Sequence, residues 1–305
     1  MEYILLVVGF VLLIKGADFF VDGASSIARA LKVPSIVIGL TLVSLGTSAP
    51  EAAVSITASI RGSSDISLGN VIGSNVFNLL AVIGCAALFM AIPTQKDIIK
   101  RDIPVSIASC LILLVMMLGG RITRIDGIIL LICIIIYMVI LVRGALKNRT
   151  EESDEKILPI PLCLIYVVFG MGAIVLGGQL VVNNASIIAK HFGMSDTLVG
   201  LTIVAIGTSL PELVTSVMAA RKGDSGIALG NAVGSCIFNF FFIVGMASAI
   251  SPLAVDMSLI VDMILLIIIN ILVFIFCRSG EKITRMEGLV LIAMYVGYTV
   301  FIINR

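Results

Sequence analysis

The sequence predicts an all-α integral membrane protein with ten transmembrane helices, arranged as two inverted five-helix repeats with broken helices at the midplane. Three observations predict this fold class. Of the 305 residues, 59% are hydrophobic and only 13% are charged. Long apolar runs recur along the whole chain, and the second half of the sequence repeats the first. The first two observations exclude other classes of fold, and the third sets the domain organisation.

The composition excludes a soluble domain, which at this length would carry about twice this share of charged residues. The apolar runs approach the ~20 residues that a helix needs to cross a bilayer, and they lack the alternating polarity of barrel strands. We therefore expect ten helical spans. Their approximate bounds are 3–21, 35–60, 67–91, 103–120, 125–143, 160–182, 197–220, 227–250, 258–277 and 286–303.

An internal repeat sets the domain organisation. Residues 39–84 and 200–245 align without a gap, with 22 of 46 positions identical, at an offset of 161. Because each half holds five spans, an odd number, the second copy enters the membrane inverted, as in many secondary transporters. We expect a first repeat at 1–145, a linker at 146–158 and a second repeat at 159–305.

Basic residues in the loops predict the orientation. Most Lys and Arg residues lie in the loops after the first, third, fifth, seventh and ninth spans. The positive-inside rule assigns these loops to the cytoplasm. We therefore expect a multi-pass protein of the cell membrane (plasma or inner membrane), with both termini outside the cytoplasm and the linker inside.

Two spans contain a helix breaker beside a carboxylate, in "GTSAPE" (46–51) and "GTSLPE" (207–212). Pro50 and Pro211 have no N–H group to donate to the carbonyls of Gly46 and Gly207. Such unpaired carbonyls are tolerated at membrane depth only where they line a cavity or bind an ion. The pattern predicts two broken helices around a site.

Polar side chains accompany the breaks. Thr47, Ser48 and Glu51 can share one helical face, and the second repeat has the same three residue types. The following span of each repeat adds a polar stripe, in "GNVIGSNVFN" (69–78) and "GNAVGSCIFN" (230–239). The stripe residues are Asn70, Ser74 and Asn78, and then Asn231, Ser235 and Asn239.

The two intramembrane carboxylates predict a cation site. A carboxylate inside the membrane is costly and usually functional, and no basic residue of the second, third, seventh or eighth span lies at the depth of Glu51 or Glu212. The surrounding donors are oxygens, which suit Ca²⁺, Na⁺ or Mg²⁺ and disfavour Zn²⁺ or Cu⁺. Ca²⁺ is favoured because it accepts about 6–8 oxygens in irregular geometry. The same pocket could hold several Na⁺ ions.

The sequence lacks the motifs that are typical of metalloproteases and ATP-driven pumps. The chain has one His, no H-E-x-x-H motif and no G-x-x-x-x-G-K-[ST] motif, which argues against a metalloprotease or an ATP-driven pump. We expect no cofactor and no nucleic-acid partner. The expected partners are the lipid bilayer and the ions Ca²⁺ and Na⁺. A passive cation channel with the same oxygen lining remains an alternative.

The paired motifs resemble the signature repeats of the calcium:cation antiporter superfamily, which includes Na⁺/Ca²⁺ exchangers, and especially its short prokaryotic members. The resemblance implies export of Ca²⁺ against entering Na⁺ by alternating access. It also implies a ligand set led by Glu51 and Glu212. The other implied ligands are the side chains of Thr47, Ser48, Ser74, Asn78, Thr208, Ser209, Ser235 and Asn239, with backbone carbonyls near Ser44 and Ala205.

Two positions qualify this expectation. Some relatives, including K⁺-dependent exchangers, carry Asp at one of the positions that Asn78 and Asn239 occupy here. Asn at both positions argues against K⁺ transport, and it leaves an H⁺/Ca²⁺ antiporter as the alternative to Na⁺/Ca²⁺ exchange.

Cys236 stands where the first repeat has Asn75, and we interpret it as a small packing or pore-lining residue. The oligomeric state is open, and a monomer suffices for this architecture.

Overall fold

A computed structural model describes residues 1–147, 158–193 and 205–304 of the chain. Most of the predicted linker (146–158) and the start of the predicted seventh span (197–220) lie outside the described residues. The described helices are α1 (Glu2–Ala30), α2 (Ser35–Thr47), α3 (Ala49–Ile60), α4 (Ser64–Phe89), α5 (98–117), α6 (Arg124–Lys147), α7 (Ile160–His191), α8 (Ala205–Thr208), α9 (Leu210–Arg221), α10 (Ser225–Ile250), α11 (Met257–Ser279) and α12 (Arg285–Asn304).

The structure is an all-helical membrane protein. Seven of the described helices are long and apolar enough to cross a membrane, and the bent pair α2 and α3 makes an eighth candidate span. The spans that the sequence predicts near both ends of the chain, and around the polar stripes, coincide with these helices.

The helices form an inner and an outer layer. In their most apolar windows, α4 and α10 are 83% and 78% buried, whereas α6 is 28% and α12 is 11% buried. The two helices that carry the polar stripes are therefore central. The outer helices expose large apolar side chains, such as Ile135 of α6 and Val296 of α12, as expected for a surface that faces lipid.

Glycines allow the backbones of α1 and α7 to touch. A Cβ atom added at Gly177 would lie 2.7 Å from the carbonyl oxygen of Gly9. A Cβ atom added at Gly170 would lie 2.7 Å from the backbone nitrogen of Phe20. Small residues at helix crossings are the usual means of close approach in membranes. These two long helices, one from each repeat, thus pack as a pair.

Two short antiparallel strand pairs join the repeats at the helix ends. Strand β1 (Ile92–Pro93) pairs with β4 (Lys282–Ile283), and β2 (Arg121–Ile122) pairs with β3 (Leu253–Ala254). The offset of 161 relates β1 to β3 and β2 to β4, so the two pairs are symmetry copies of each other. Each pair ties a loop of one repeat to a loop of the other.

Polar contacts tie α1 to the turn between α9 and α10. The Nζ atom of Lys222 lies 2.7 Å from Oδ1 of Asp18 and 2.6 Å from Oδ1 of Asp22. The hydroxyls of Ser25 and Ser35 donate to the carboxylate of Asp224, each at 2.7 Å. The first repeat is therefore anchored to the second at this end of the bundle.

Candidate cation site

Both predicted helix breaks are present. Helix α2 ends at Thr47 and α3 begins at Ala49, with a bend of 50° between them. The intervening Ser48 has φ −80° and ψ 6°, outside helical geometry. Ser209 separates α8 from α9 in the same way, with φ −94° and ψ 6°. The proline lies in the first turn of the second half in each case, where its missing N–H group is harmless.

The carboxylates are held across the repeat boundary. Ser48 donates to Oε1 of Glu212 at 2.9 Å, and Ser209 donates to Oε1 of Glu51 at 2.8 Å. The hydroxyls of Ser209 and Ser74 lie 3.0 Å apart, and because the single proton of Ser209 goes to Glu51, Ser74 is the donor in this pair. Both glutamates are 0% exposed. Each break thus contributes a carboxylate to the site and a serine that orients the carboxylate of the other repeat.

A second layer of hydrogen bonds orients the threonines. Thr47 donates to Oδ1 of Asn231 at 3.0 Å, and Nδ2 of Asn231 donates to Ser216 at 2.9 Å. Sequence reasoning did not assign Ser216 a role, although its identity with Ser55 at the repeat offset was a signal. The first stripe makes the equivalent contacts, which involve Thr208, Asn70 and Ser55.

Buried oxygen atoms without partners concentrate at this site. Among the described residues, seven buried side-chain oxygens lack a hydrogen-bond partner, and five of these belong to predicted ligands. Buried polar groups are almost always paired with protein or with water, so these oxygens fit a site that ions or ordered water complete. The five atoms are Oε2 of Glu51, Oε2 of Glu212, Oδ1 of Asn78, Oγ of Ser235 and Oδ1 of Asn239.

The two predicted backbone ligands are the carbonyls of Ser44 and Ala205. The carbonyl of Ser44 accepts a bond from the backbone nitrogen of Ser48 at 3.0 Å and lies 3.4 Å from the hydroxyl of Thr47, whose proton goes to Asn231. Ala205 begins α8.

Sequence reasoning overlooked Thr215, one turn beyond Glu212, whose buried hydroxyl also lacks a partner among the described residues.

The electrostatics fit a hard cation. In the described part of the chain, no ion pair involves Glu51 or Glu212. The same residues contain no group of three His, Cys, Asp or Glu side chains that could hold a metal ion. The site therefore consists of two carboxylates and neutral oxygens, which is the donor set of Ca²⁺ or Na⁺ and not of a thiol or imidazole site.

The helices of the polar stripes change geometry at the site. A π-helical turn begins at Asn78 and runs to Val82, and its counterpart runs from Asn239 to Val244. Such turns are rare and often mark functional positions, because they alter the direction in which side chains project. Hydrophobic periodicity did not predict these turns.

Apolar helices broken around paired, unneutralised carboxylates define a membrane cation transporter. The family model described as "Sodium/calcium exchanger protein" matches residues 1–143 and 162–304 of the chain. The chain therefore belongs to the sodium/calcium exchanger family of antiporters. This confirms the resemblance that the paired motifs indicated.

Two relatives and a solved structure are similar to this chain over most of its length. The sodium/calcium exchanger MaX1 of Methanosarcina acetivorans is 36% identical in an alignment that covers 98% of this chain and 97% of MaX1. The inner membrane protein YrbG of Escherichia coli is 34% identical over 83% of this chain and 81% of its own. A structure of the sodium-calcium exchanger NCX_Mj, soaked with Na⁺ and Ca²⁺, matches with a TM-score of 0.86 at 33% identity, covering 97% and 96% of the two chains.

Proposed function

We propose that the protein exchanges Ca²⁺ for Na⁺, exporting Ca²⁺ from the cell as Na⁺ enters by alternating access. The observation that carries the proposal is that five buried, unpartnered oxygens belong to predicted ligands, two of them to Glu51 and Glu212. Two carboxylates without basic partners neutralise one Ca²⁺, and Ca²⁺ accepts about 6–8 oxygen ligands. The family relationship supports the same function, because MaX1 bears the name of a sodium/calcium exchanger.

The proposed ligand set comes from both repeats. Glu51 and Glu212 supply the charge, and the surrounding hydroxyl, amide and carbonyl oxygens complete the coordination of Ca²⁺ or of several Na⁺ ions. The crossed bonds from Ser48 and Ser209 hold one oxygen of each carboxylate and leave the other for the ion. The remaining proposed ligands are Thr47, Ser74, Asn78, Thr208, Ser235 and Asn239, with the carbonyls of Ser44 and Ala205.

The strand pairs support ten spans in two inverted repeats. Paired strands must lie on the same side of the membrane, so an even number of spans must separate them. Six predicted spans lie between β1 and β4, and four lie between β2 and β3. Together with the positive-inside rule, this parity supports the proposal that the β1–β4 pair and the linker (146–158) are cytoplasmic and that both termini lie outside. The relative YrbG is an inner membrane protein by name, which supports a location of this protein in the cell membrane.

The structure favours exchange over a passive channel. Each carboxylate is bonded by a serine at the helix break of the other repeat, so the two halves share one site. Such a shared site at the junction of inverted repeats suits alternate exposure to either side better than a continuous pore. Na⁺ is the proposed driving ion because the amides of Asn78 and Asn239 bind Na⁺ and do not exchange a proton near neutral pH.

Flux in reconstituted vesicles tests the proposal. Uptake of ⁴⁵Ca²⁺ is measured while an outward gradient of Na⁺, H⁺ or K⁺ is imposed in turn. We expect stimulation by Na⁺ and none by K⁺. Uptake driven by a pH gradient in Na⁺-free vesicles, with no stimulation by Na⁺, would assign the protein to H⁺/Ca²⁺ exchange instead.

A further inference from the structure

A buried position beside the cation site carries an amide in the first repeat and a thiol in the second. Asn75 of α4 and Cys236 of α10 are related by the repeat offset of 161, and both are 1% exposed. They also contact each other. Nδ2 of Asn75 donates to the carbonyl oxygen of Cys236 at 3.2 Å, and Sγ of Cys236 donates to the carbonyl oxygen of Asn75 at 3.8 Å. The pair thus lies where the repeats meet.

Asn75 fixes the direction of a proposed ligand. Nδ2 of Asn239 donates to Oδ1 of Asn75 at 2.9 Å. Because an amide group is planar, this bond sets the plane and the direction of Asn239, whose Oδ1 atom stays buried and unpartnered. Asn75 is itself bonded at both ends of its amide, to Asn239 and to Cys236. It therefore holds Asn239 with its oxygen available to an ion.

Asn78 lacks the equivalent restraint. The repeat relation pairs Asn78 with Asn239 and Asn75 with Cys236, so the restraint on Asn78 would have to come from Cys236. A thiol offers no amide oxygen, and sulfur is a weak acceptor. Accordingly, neither Oδ1 nor Nδ2 of Asn78 has a partner among the described residues, although the residue is 0% exposed.

From these contacts we infer that Asn75 and Cys236 make the cation site asymmetric, with Asn239 a fixed ligand and Asn78 an adjustable one. The inference rests on the proposed function. A side chain that is already oriented loses less conformational freedom on binding than one that is free to rotate. Asn75 and Cys236 are positioning residues in this account: they set the affinity for the ion through Asn239 and Asn78 without ligating it.

Direct binding of ⁴⁵Ca²⁺ to the purified protein, measured by equilibrium dialysis without Na⁺, tests the inference. Cys236→Asn supplies an amide oxygen to Asn78 and should tighten Ca²⁺ binding about two- to tenfold, which corresponds to one side chain ordered in advance. Asn75→Cys releases Asn239 and should weaken binding by a similar factor. The exchanged double variant Asn75→Cys/Cys236→Asn keeps one restraint and the same total side-chain volume, and it should bind within about twofold of the native protein.

Double-mutant cycles separate positioning from packing. The effect of Cys236→Asn should disappear when Asn78 is already Ala, and the effect of Asn75→Cys should disappear when Asn239 is already Ala. Effects that persist in these backgrounds, or an unchanged Ca²⁺ affinity in folded Cys236→Asn and Asn75→Cys proteins, would overturn the inference while leaving the proposed function intact. Failure of the native protein to bind Ca²⁺ would instead refute the proposed function, and the inference with it.

Discussion

At the residue scale, the sequence predicts most of the candidate site because its signals are chemical. Carboxylates beside helix breakers in an apolar span have few structural explanations, and Glu51 and Glu212 do meet in a buried cluster. Helical-face geometry could not show that Ser48 bonds the glutamate of the other repeat, because that contact depends on how the repeats pack. The restraint of Asn239 by Asn75 was hidden for the same reason.

Removing one carboxylate should abolish transport. Glu51→Gln or Glu212→Gln keeps the shape of the side chain and removes one of the two charges that balance Ca²⁺. We expect Ca²⁺ binding to weaken by about 2–5 kcal/mol, as for other buried charge partners, and ⁴⁵Ca²⁺ uptake to fall to background. Glu281→Gln, at an exposed residue between α11 and α12, is the matched control and should transport normally. Near-normal uptake by either folded site variant would remove that glutamate from the site.

Replacing an amide by a carboxylate should make transport depend on pH. Asn239→Asp adds a third titratable group beside Glu51 and Glu212, so Ca²⁺ uptake should decline more steeply on acidification than in the native protein. Uptake rates between pH 6 and 9 at a fixed Na⁺ gradient provide the measurement. Asn304→Asp, at the exposed end of α12, controls for added charge. Identical pH profiles for the native protein and Asn239→Asp would contradict a ligand role for this residue.

At the element scale, the sequence predicts the helix breaks from the chemistry of proline. It does not predict the features that depend on packing between distant segments. The break at Ser48 lies two residues before Pro50, where the sequence predicted it. The π-helical turns and the strand pairs leave no local signal in a single sequence, because both depend on contacts between distant segments. The close pairing of α1 and α7 likewise depends on glycines whose partners are about 160 residues away.

The glycine contact between α1 and α7 should be sensitive to one methyl group. Gly177→Ala places a Cβ atom 2.7 Å from the carbonyl oxygen of Gly9, so the helices must separate. Overpacking of this kind costs about 1–3 kcal/mol of stability. Gly172→Ala is the control on the same helix, because its Cβ atom would meet nothing within 4 Å. Melting followed by size-exclusion chromatography should show a lower midpoint for Gly177→Ala alone, and equal midpoints would contradict the close contact.

At the scale of the whole molecule, the repeat predicted a shared site but not its asymmetry. Identical residues at the offset of 161 gave matching breaks and crossed serine–carboxylate bonds in the two repeats. The differences between the repeats decide how the site departs from exact symmetry. Because Cys236 stands in place of an Asn, no amide among the described residues of the second repeat restrains Asn78. Away from the site, Lys222 forms ion pairs with Asp18 and Asp22 at one end of the bundle.

The charge of the site predicts how transport responds to voltage. With two carboxylates, a site that holds Ca²⁺ is neutral, whereas a site with three Na⁺ ions carries one positive charge, worth ~2.3 kcal/mol per 100 mV. An inside-negative potential should therefore favour Na⁺ entry and Ca²⁺ export. A potential set with K⁺ and valinomycin across vesicles should change the Na⁺-driven Ca²⁺ flux. An unchanged flux would indicate two Na⁺ ions for each Ca²⁺.

The coupling of the Na⁺ and Ca²⁺ fluxes distinguishes exchange from passive Ca²⁺ conduction. Vesicles that contain the purified protein are loaded with ²²Na⁺ and placed in ⁴⁵Ca²⁺, and both isotopes are followed together, with Glu212→Gln vesicles in parallel. If the protein exchanges Na⁺ for Ca²⁺, Ca²⁺ entry should require internal Na⁺, the two fluxes should keep a fixed ratio as either concentration changes, and both should vanish in Glu212→Gln. Ca²⁺ entry at the same rate without internal Na⁺ or any other counter-ion would contradict exchange and identify a channel.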